Sequence, residues 1–86
     1  MYYVYLLRST RDDRIYTGYT HDLKKRVSEY FQGNVHTTLR MGDIKLIYYE
    51  AFISEIDARE REGYLKTTKG KRTVKLMLKD TLAAIV

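Results

Sequence analysis

The chain has 86 residues, enough for one small domain, residues 1–86, with a thin hydrophobic core. It contains no cysteine, which excludes disulfides, thiolate nucleophiles and cysteine-ligated zinc. The chain has 16 Lys and Arg against 11 Asp and Glu, a net charge of +5 that favours a polyanionic partner such as nucleic acid.

The first residues predict a β-hairpin. Tyr2 to Leu7 is apolar on both faces, as in a strand covered on both sides, and Ile15 to Tyr19 is predicted to pair with it. Each segment holds a tyrosine triplet, Tyr3-Val4-Tyr5 in the first and Tyr16-Thr17-Gly18 in the second. A tight reversal between them therefore brings two phenols close together.

A helix and a third strand follow the hairpin. Thr20 is predicted to N-cap a helix that ends at Gly33, and residues 34–43 are expected to form a loop. The segment from Lys45 to Phe52 is rich in β-branched and aromatic residues, which predicts the third strand.

Ser54 is predicted to cap a second helix that runs to about Thr67. Gly63 lies inside this helix, where glycine costs about 1 kcal/mol relative to alanine, and so favours close packing or a bend. The segment from Thr67 to Arg72 is predicted to be a basic turn around Gly70.

Apolar residues at helical spacing from Val74 to Ile85 predict a third, amphipathic helix. The resulting order is β-β-α-β-α-α. It predicts an α+β fold in which a small three-stranded, mainly antiparallel sheet is flanked by helices.

Two charged residues lie on or near the inward sides of the predicted helices. Arg26 lies at the edge of the apolar face of the first helix, and Glu62 lies on the inward stripe of the second. Burying an unpaired carboxylate is costly. Glu62 is therefore either a metal ligand or general base, or the partner in a salt bridge with Arg59, Lys66 or Arg26.

These residue types suit cleavage of a phosphodiester bond. A hard divalent cation needs oxygen ligands such as Glu62 and water, and it neutralises charge on the phosphate. The Arg26 guanidinium offers a planar fork of donors to phosphate oxygens. A phenol can orient water, but it acts as a base only if a nearby cation lowers its pKa from about 10.

The sequence resembles the GIY-YIG nuclease superfamily, and within it the short stand-alone bacterial-type domains. The two tyrosine triplets match its first two motifs. Tyr19 to Val27 resembles the segment G-x-T-x-D-L-x-x-R-L/V, Lys45 to Glu50 resembles the third strand, and Asp57 to Lys66 resembles the helix A-x-x-R-E-x-x-L-K. The resemblance covers roughly residues 2–79.

This resemblance implies a metal-dependent endonuclease that hydrolyses DNA, in repair or recombination, with one Mg²⁺ or Mn²⁺ ion. Glu62 would hold the metal, and Arg26 would contact the scissile phosphate. Tyr16 would position or activate the attacking water, Tyr5 would support that network, and Gly18 would allow close backbone approach.

The chain departs from the family pattern after the helix arginine. The usual His-Asn pair is replaced by Tyr30 and Phe31, so Tyr30 and the loop residue His36 are the candidate substitutes in proton transfer. Some relatives carry a lysine where this chain has Tyr19. The alternative function is a catalytically weak or inactive nucleic-acid-binding module of the same fold. A protein-interaction domain is a third alternative.

A basic run follows the second helix. Its candidate nucleic-acid-binding residues are Lys66, Lys69, Lys71, Arg72 and Lys75. A solvated face is the other interpretation, whereas four or five phosphate contacts would give a salt slope of about −4. The expected partner is DNA, duplex or branched, bound by a monomer or weak oligomer. With no signal-peptide pattern and no long apolar run, we expect a cytoplasmic protein without a membrane partner.

Overall fold

The computed structural model describes residues 1–10, 13–31 and 44–84. Three strands form one antiparallel sheet of order β2-β1-β3, and they are β1 (Tyr2–Ser9), β2 (Ile15–Thr20) and β3 (Ile44–Phe52). The predicted α+β fold with a three-stranded antiparallel sheet is confirmed. Because β1 is central, β2 and β3 are both edge strands.

Helices flank the sheet, and in the described residues they are α1 (Leu23–Phe31), α2 (Glu55–Leu65), α3 (Thr68–Met77) and α4 (Lys79–Ala84). The last predicted helix is thus two helical segments that meet at Leu78. The predicted loop over residues 34–43, with His36, and the predicted ends at Gly33 and Ile85 lie outside the described residues. In the part of the chain that the structure describes, no helix is long and apolar enough to cross a membrane.

The central strand is covered on both faces, as its apolar run predicts. Val4 and Leu6 face one side and pack against four buried helix residues, Ala58, Leu65, Val74 and Leu78. Tyr5 and Leu7 face the other side, where Ile44 and the α1 residues Leu23 and Tyr30 pack against them. We call these sides the α2 face and the α1 face of the sheet.

The helix starts are fixed by side-chain caps. Asp22 caps α1, because its Oδ1 accepts a hydrogen bond from the Lys25 amide at 3.1 Å. The predicted Thr20 cap is wrong, since Thr20 is still paired in β2 and its hydroxyl oxygen accepts from the Asp22 amide at 3.1 Å. The predicted Ser54 cap of α2 is confirmed by a 3.3 Å hydrogen bond from the Asp57 amide to its Oγ.

The predicted basic turn around Gly70 is wrong, because these residues form the start of α3. Thr67 caps this helix, its Oγ1 accepting from the Gly70 amide at 3.0 Å. A Cβ built on Gly70 would overlap the Tyr64 carbonyl and the Cα of Leu65. The glycine therefore serves close packing of α3 on the end of α2, which stops at Leu65.

Gly63 has the opposite environment. A Cβ built on Gly63 would have no neighbouring atom within 4 Å among the described residues. The close packing predicted at Gly63 is therefore absent. The helix α2 continues through this position, which is exposed to solvent. A glycine in this open helical position lowers stability without any steric need for it.

Candidate active site

Tyr5 lies in the middle of β1, and Gly18 is its direct partner on β2. A Cβ built on Gly18 would overlap the Cζ and Oη atoms of Tyr5. The phenol therefore occupies the space that a side chain at position 18 would need. The close approach predicted at Gly18 is made by Tyr5, so the two tyrosine motifs are coupled by packing.

Tyr30 projects from α1 onto the same phenol. The two rings meet edge to face, with centroids 6.3 Å apart and an interplanar angle of 69°. The side chains of Tyr5 and Tyr30 also form a hydrogen bond. Tyr30, which stands where relatives usually carry histidine, is thus in direct contact with the first motif.

The charges of Arg26 and Glu62 both act on the Tyr5 phenol. Burial is the largest effect and raises the pKa of Tyr5, and the hydrogen bond with Tyr30 and the negative charge of Glu62 raise this pKa further. The positive charge of Arg26 opposes them. With its pKa above the ordinary value, Tyr5 stays protonated at neutral pH and is a hydrogen-bond donor rather than a base.

Tyr16 lies on the α1 face of the sheet as well. It is two residues before Gly18 on β2, and a strand places alternate residues on one face. Its half-buried ring packs against the cluster that contains Tyr5 and Leu7. The structure therefore places both motif tyrosines on one face of the sheet, beside the edge strand.

Glu62 lies on the side of α2 that follows β2. Glu55 at the start of α2 bonds to Tyr19, and Leu65 at its end shares a groove with Tyr16, so Glu62 lies beside the middle of β2. Its side chain is 21% exposed, and its Oε2 lies 3.1 Å from the Lys66 Nζ. Of the salt-bridge partners considered, Lys66 is the one observed.

A second ion pair, which the sequence analysis missed, anchors α2 next to Glu62. The Nε and Nη2 atoms of Arg61 donate to the two carboxylate oxygens of Glu50 on β3, each at 2.9 Å. The Tyr48 hydroxyl also donates to Glu50. This pair joins residues eleven positions apart on different elements, so no local spacing signals it. It fixes the helix turn from which Glu62 projects.

Tyr19 carries an arginine on its ring. Its hydroxyl donates to Glu55 Oε2 at 2.8 Å, and the Arg59 guanidinium lies 4.2 Å from the ring centroid while donating to the same carboxylate. Some relatives have a lysine at position 19. In this chain the Arg59 guanidinium, which comes from α2, lies over the Tyr19 ring instead.

The donor set for a metal consists of one carboxylate. In the described ranges no group of three or more His, Cys, Asp or Glu side chains could hold an ion. The Glu62 carboxylate is partly open to solvent, and its charge acts, with that of Arg26, on the Tyr5 phenol. One carboxylate completed by water suits Mg²⁺, which keeps several of its waters when bound to protein.

A groove of about 660 Å³ runs between β2 and the helices α2 and α3, and we call it the β2–α3 groove. Of the basic candidates, Lys66, Lys71 and Lys75 line it, together with Arg14, which directly precedes β2. Lys69 and Arg72 are exposed and do not line the groove. Three of the five basic candidates therefore line this groove, and the other two lie elsewhere on the protein surface.

Comparison with known proteins places the chain among small nuclease-type domains. The model of the GIY-YIG catalytic domain matches residues 1–75. A UPF0213 protein of Clostridium perfringens is 39% identical over 79 residues, which cover 91% of this chain and 82% of the relative. A UPF0213 protein of Staphylococcus saprophyticus is 32% identical over 78 residues, covering 88% and 93%.

The fold is also similar to a solved structure. The solution NMR structure of a UPF0213 protein from Bacillus halodurans superposes with a TM-score of 0.58 at 29% sequence identity. The match covers 98% of this chain and 95% of that one. The similarity therefore extends over the whole fold, including the helices that carry Arg26 and Glu62.

Proposed function

The chain belongs to the GIY-YIG family, and on that premise we propose that it is a metal-dependent endonuclease that hydrolyses DNA phosphodiester bonds. The catalytic domain of this family has a nuclease-type fold, which implies nucleic-acid binding in general and use of divalent metal ions. One observation carries the proposal: the Tyr5 phenol fills the space beside Gly18, within electrostatic reach of Arg26 on α1 and Glu62 on α2. We further propose that residues 1–86 act as one domain in DNA repair or recombination.

Arg26 has the role of charge stabilisation. Arg26 is half-buried on α1, and its positive charge acts on the Tyr5 phenol. Negative charge grows on the phosphate oxygens as the attacking oxygen approaches, and a guanidinium fork donates to two of them at once. An arginine positioned at this site before the reaction stabilises the transition state without reorganisation.

Three tyrosines have the remaining roles in the proposed reaction. Tyr16 orients the attacking water through its hydroxyl group. Tyr5 stays protonated because burial raises its pKa, so it donates a hydrogen bond and holds the Tyr30 hydroxyl in place. Tyr30 occupies the position where relatives usually carry histidine, and it is therefore the candidate substitute in proton transfer.

Glu62 would hold one Mg²⁺ or Mn²⁺ ion, together with water. Such an ion, when bound, neutralises phosphate charge and polarises the scissile bond. Glu62 Oε2 already interacts with the Lys66 ammonium, so Lys66 has to share or release that oxygen when an ion binds. The partly exposed carboxylate leaves a route for the ion from solvent.

The proposal is tested by a pair of isosteric variants on α2. Glu62→Gln removes the carboxylate charge and is expected to abolish Mg²⁺- or Mn²⁺-dependent cleavage of DNA while leaving gel-shift affinity largely intact. Glu60→Gln removes a neighbouring, exposed charge from the same helix and is expected to cleave like the parent protein. Cleavage by Glu62→Gln at the parent rate would refute the proposed site.

A second candidate function is a catalytically weak or inactive nucleic-acid-binding module. The observation that favours it is the hydrogen bond between Tyr30 and Tyr5, because it ties a phenol into the packed cluster where relatives usually place histidine. This module would shift DNA in a gel with a steep salt dependence and never nick it. The same gel-shift and cleavage assays therefore separate the two functions.

A further inference from the structure

The β2–α3 groove has an apolar floor. Ile15 of β2 forms one side of this floor, and Leu65 and Val74 of the helices form the other, while Tyr16 and Thr17 complete the β2 wall of the groove. Leu65 is 1% exposed and Val74 is 3% exposed, so both belong to the core and hold the floor rigid. Branched aliphatic side chains present an apolar surface against which a flat apolar group can pack.

The rim of the groove is cationic. Arg14, Lys66, Lys71 and Lys75 line it from the β2 side and from the two helices. Asp13 is the acidic residue of the lining, and its Oδ1 lies 3.1 Å from the Arg8 guanidinium, which compensates its charge. A rim of this kind attracts phosphate groups, whereas the floor attracts none.

The groove opens onto the candidate active site. Tyr16 lines the edge of the groove with β2, and its side chain belongs to the cluster around Tyr5. Lys66 belongs to the rim and also forms the ion pair with Glu62. A strand whose phosphates follow the rim therefore passes directly beside Glu62.

We propose that the β2–α3 groove binds an unpaired nucleotide of a DNA strand, with the base on the apolar floor and the flanking phosphates on the cationic rim. This inference rests on the proposed action on DNA. A volume of about 660 Å³ is ample for a nucleotide, since small-molecule sites span about 300–1,000 Å³. The bases of an intact duplex are stacked inside the helix. Such a duplex therefore places only its phosphates on the rim, unless a base is unstacked at a cost in free energy.

The substrate class follows from this division of floor and rim. DNA with unpaired nucleotides beside the cleavage point, such as a flap, a branch or a single-stranded end, uses both parts of the groove. Continuous duplex uses the rim alone. The protein is therefore expected to bind and cleave DNA with unpaired nucleotides in preference to blunt duplex.

The decisive experiment measures binding without cleavage, by fluorescence anisotropy in EDTA. Three probes are compared, namely a blunt duplex, the same duplex with a single-stranded flap, and that flap built from abasic nucleotides. The abasic flap keeps every phosphate and lacks every base. The flap with bases is expected to bind about tenfold more tightly than the abasic flap, because its bases bury apolar surface on the groove floor. Equal affinities for these two flaps would overturn the proposal.

Two variants locate the effect. Ile15→Ser makes the floor polar and is expected to reduce the preference for bases to less than about threefold, because apolar contacts with the bases are lost. Ile53→Ser changes an isoleucine that is 87% exposed and outside the groove, and the preference for bases should persist. Loss of the preference in both variants would contradict a site in this groove.

The rim is tested with paired charge removals. Lys71→Gln combined with Lys75→Gln is expected to weaken binding of all three probes and to reduce the salt slope by about two. Lys69→Gln combined with Arg72→Gln removes the same charge outside the groove and should reduce the slope less. Equal slopes for the two double variants would contradict the assignment of phosphates to the rim.

The binding data keep this inference separate from the proposed function. If bases strengthen binding but no DNA is cleaved when Mg²⁺ or Mn²⁺ is added, the nuclease proposal fails and the nucleotide site stands. If DNA is cleaved but bases make no difference to affinity, the nucleotide site fails and the nuclease proposal stands. The comparison of probes uses the unaltered protein, so it does not depend on the folding of any variant.

Discussion

Gly18 stands opposite Tyr5 in the β1–β2 register, and the Tyr5 phenol fills the space where a side chain at position 18 would lie. Tyr5 is 3% exposed and hydrogen-bonded to Tyr30, so its ring cannot move aside without losing contacts. The glycine of the second motif is therefore needed by the tyrosine of the first. The pair connects the sheet edge to the groups that surround the proposed site.

The first prediction concerns this contact. Gly18→Ala introduces a Cβ into the Tyr5 ring and is expected to lower the free energy of unfolding by about 1–3 kcal/mol, the usual cost of overpacking. Urea denaturation followed by circular dichroism measures the change. The control is Gly63→Ala, where a Cβ meets open space and stability should rise by up to about 1 kcal/mol. Equal effects of the two substitutions would contradict the steric account.

The second prediction concerns pH. Burial acts to raise the pKa of Glu50, but hydrogen bonds from Arg61 and Tyr48 outweigh it and hold this pKa below its ordinary value of 4.5. A folded-state pKa below the unfolded value stabilises the protein above about pH 4.5, and this stabilisation disappears as the pH falls through the folded-state pKa. Acidification below about pH 4.5 should therefore progressively remove the contribution of Glu50 to stability.

The matching variant is Glu50→Gln. At pH 7 it is expected to lower the free energy of unfolding by about 1–3 kcal/mol, because Arg61 loses its charged partner. The difference from the parent protein should narrow in acid, where the parent loses the same interaction. Thermal unfolding at a series of pH values measures both effects. A difference that stays constant with pH would show that the ion pair is not responsible.

The third prediction concerns Arg26. Arg26→Ala should lower the rate of DNA cleavage by about 10²-fold or more, because it removes charge stabilisation of the transition state. The dissociation constant for DNA should change much less. Lys25→Ala removes an exposed neighbouring cation and serves as the control, measured in the same single-turnover cleavage assay. A change in affinity alone would exclude the proposed role of Arg26.

The fourth prediction concerns Tyr30, which replaces the usual histidine. An imidazole has an ordinary pKa of about 6.5, so it accepts a proton at neutral pH far better than a phenol. Tyr30→His is expected to cleave faster than the parent protein and to gain rate as the pH rises through about 6.5. Tyr30→Phe, which removes the hydroxyl and keeps the ring, should show no such gain. Identical pH–rate profiles for the two variants would argue against proton transfer at this position.

The sequence predicts those parts of the fold that depend on local patterns. The apolar run of β1 correctly indicates a strand covered on both faces, and Ser54 correctly marks the start of α2. The three-stranded sheet follows from the predicted hairpin and from the segment up to Phe52 that is rich in β-branched and aromatic residues. These features need only the periodicity and capping chemistry of neighbouring residues.

Features that depend on tertiary contacts are beyond such patterns. Gly70 indicates a turn by its residue type, but its role is to let α3 pack against the backbone of Tyr64. The pair of Glu50 and Arg61 joins a strand to a helix, and its members have no periodic relationship. The resemblance to family motifs identified the candidate site residues from the sequence. The shape of the β2–α3 groove could not be predicted in this way, because it depends on the relative placement of β2, α2 and α3.

The central claim is a metal-dependent nuclease, and nicking of supercoiled plasmid tests it most directly. Purified protein is incubated with plasmid and Mg²⁺ or Mn²⁺, with EDTA and the Glu62→Gln variant as controls. The account predicts conversion to the open circular form with the metal, and none in either control. Supercoiled plasmid that stays intact with both metals, while the protein binds it in a gel shift, would contradict the nuclease assignment and leave the binding module.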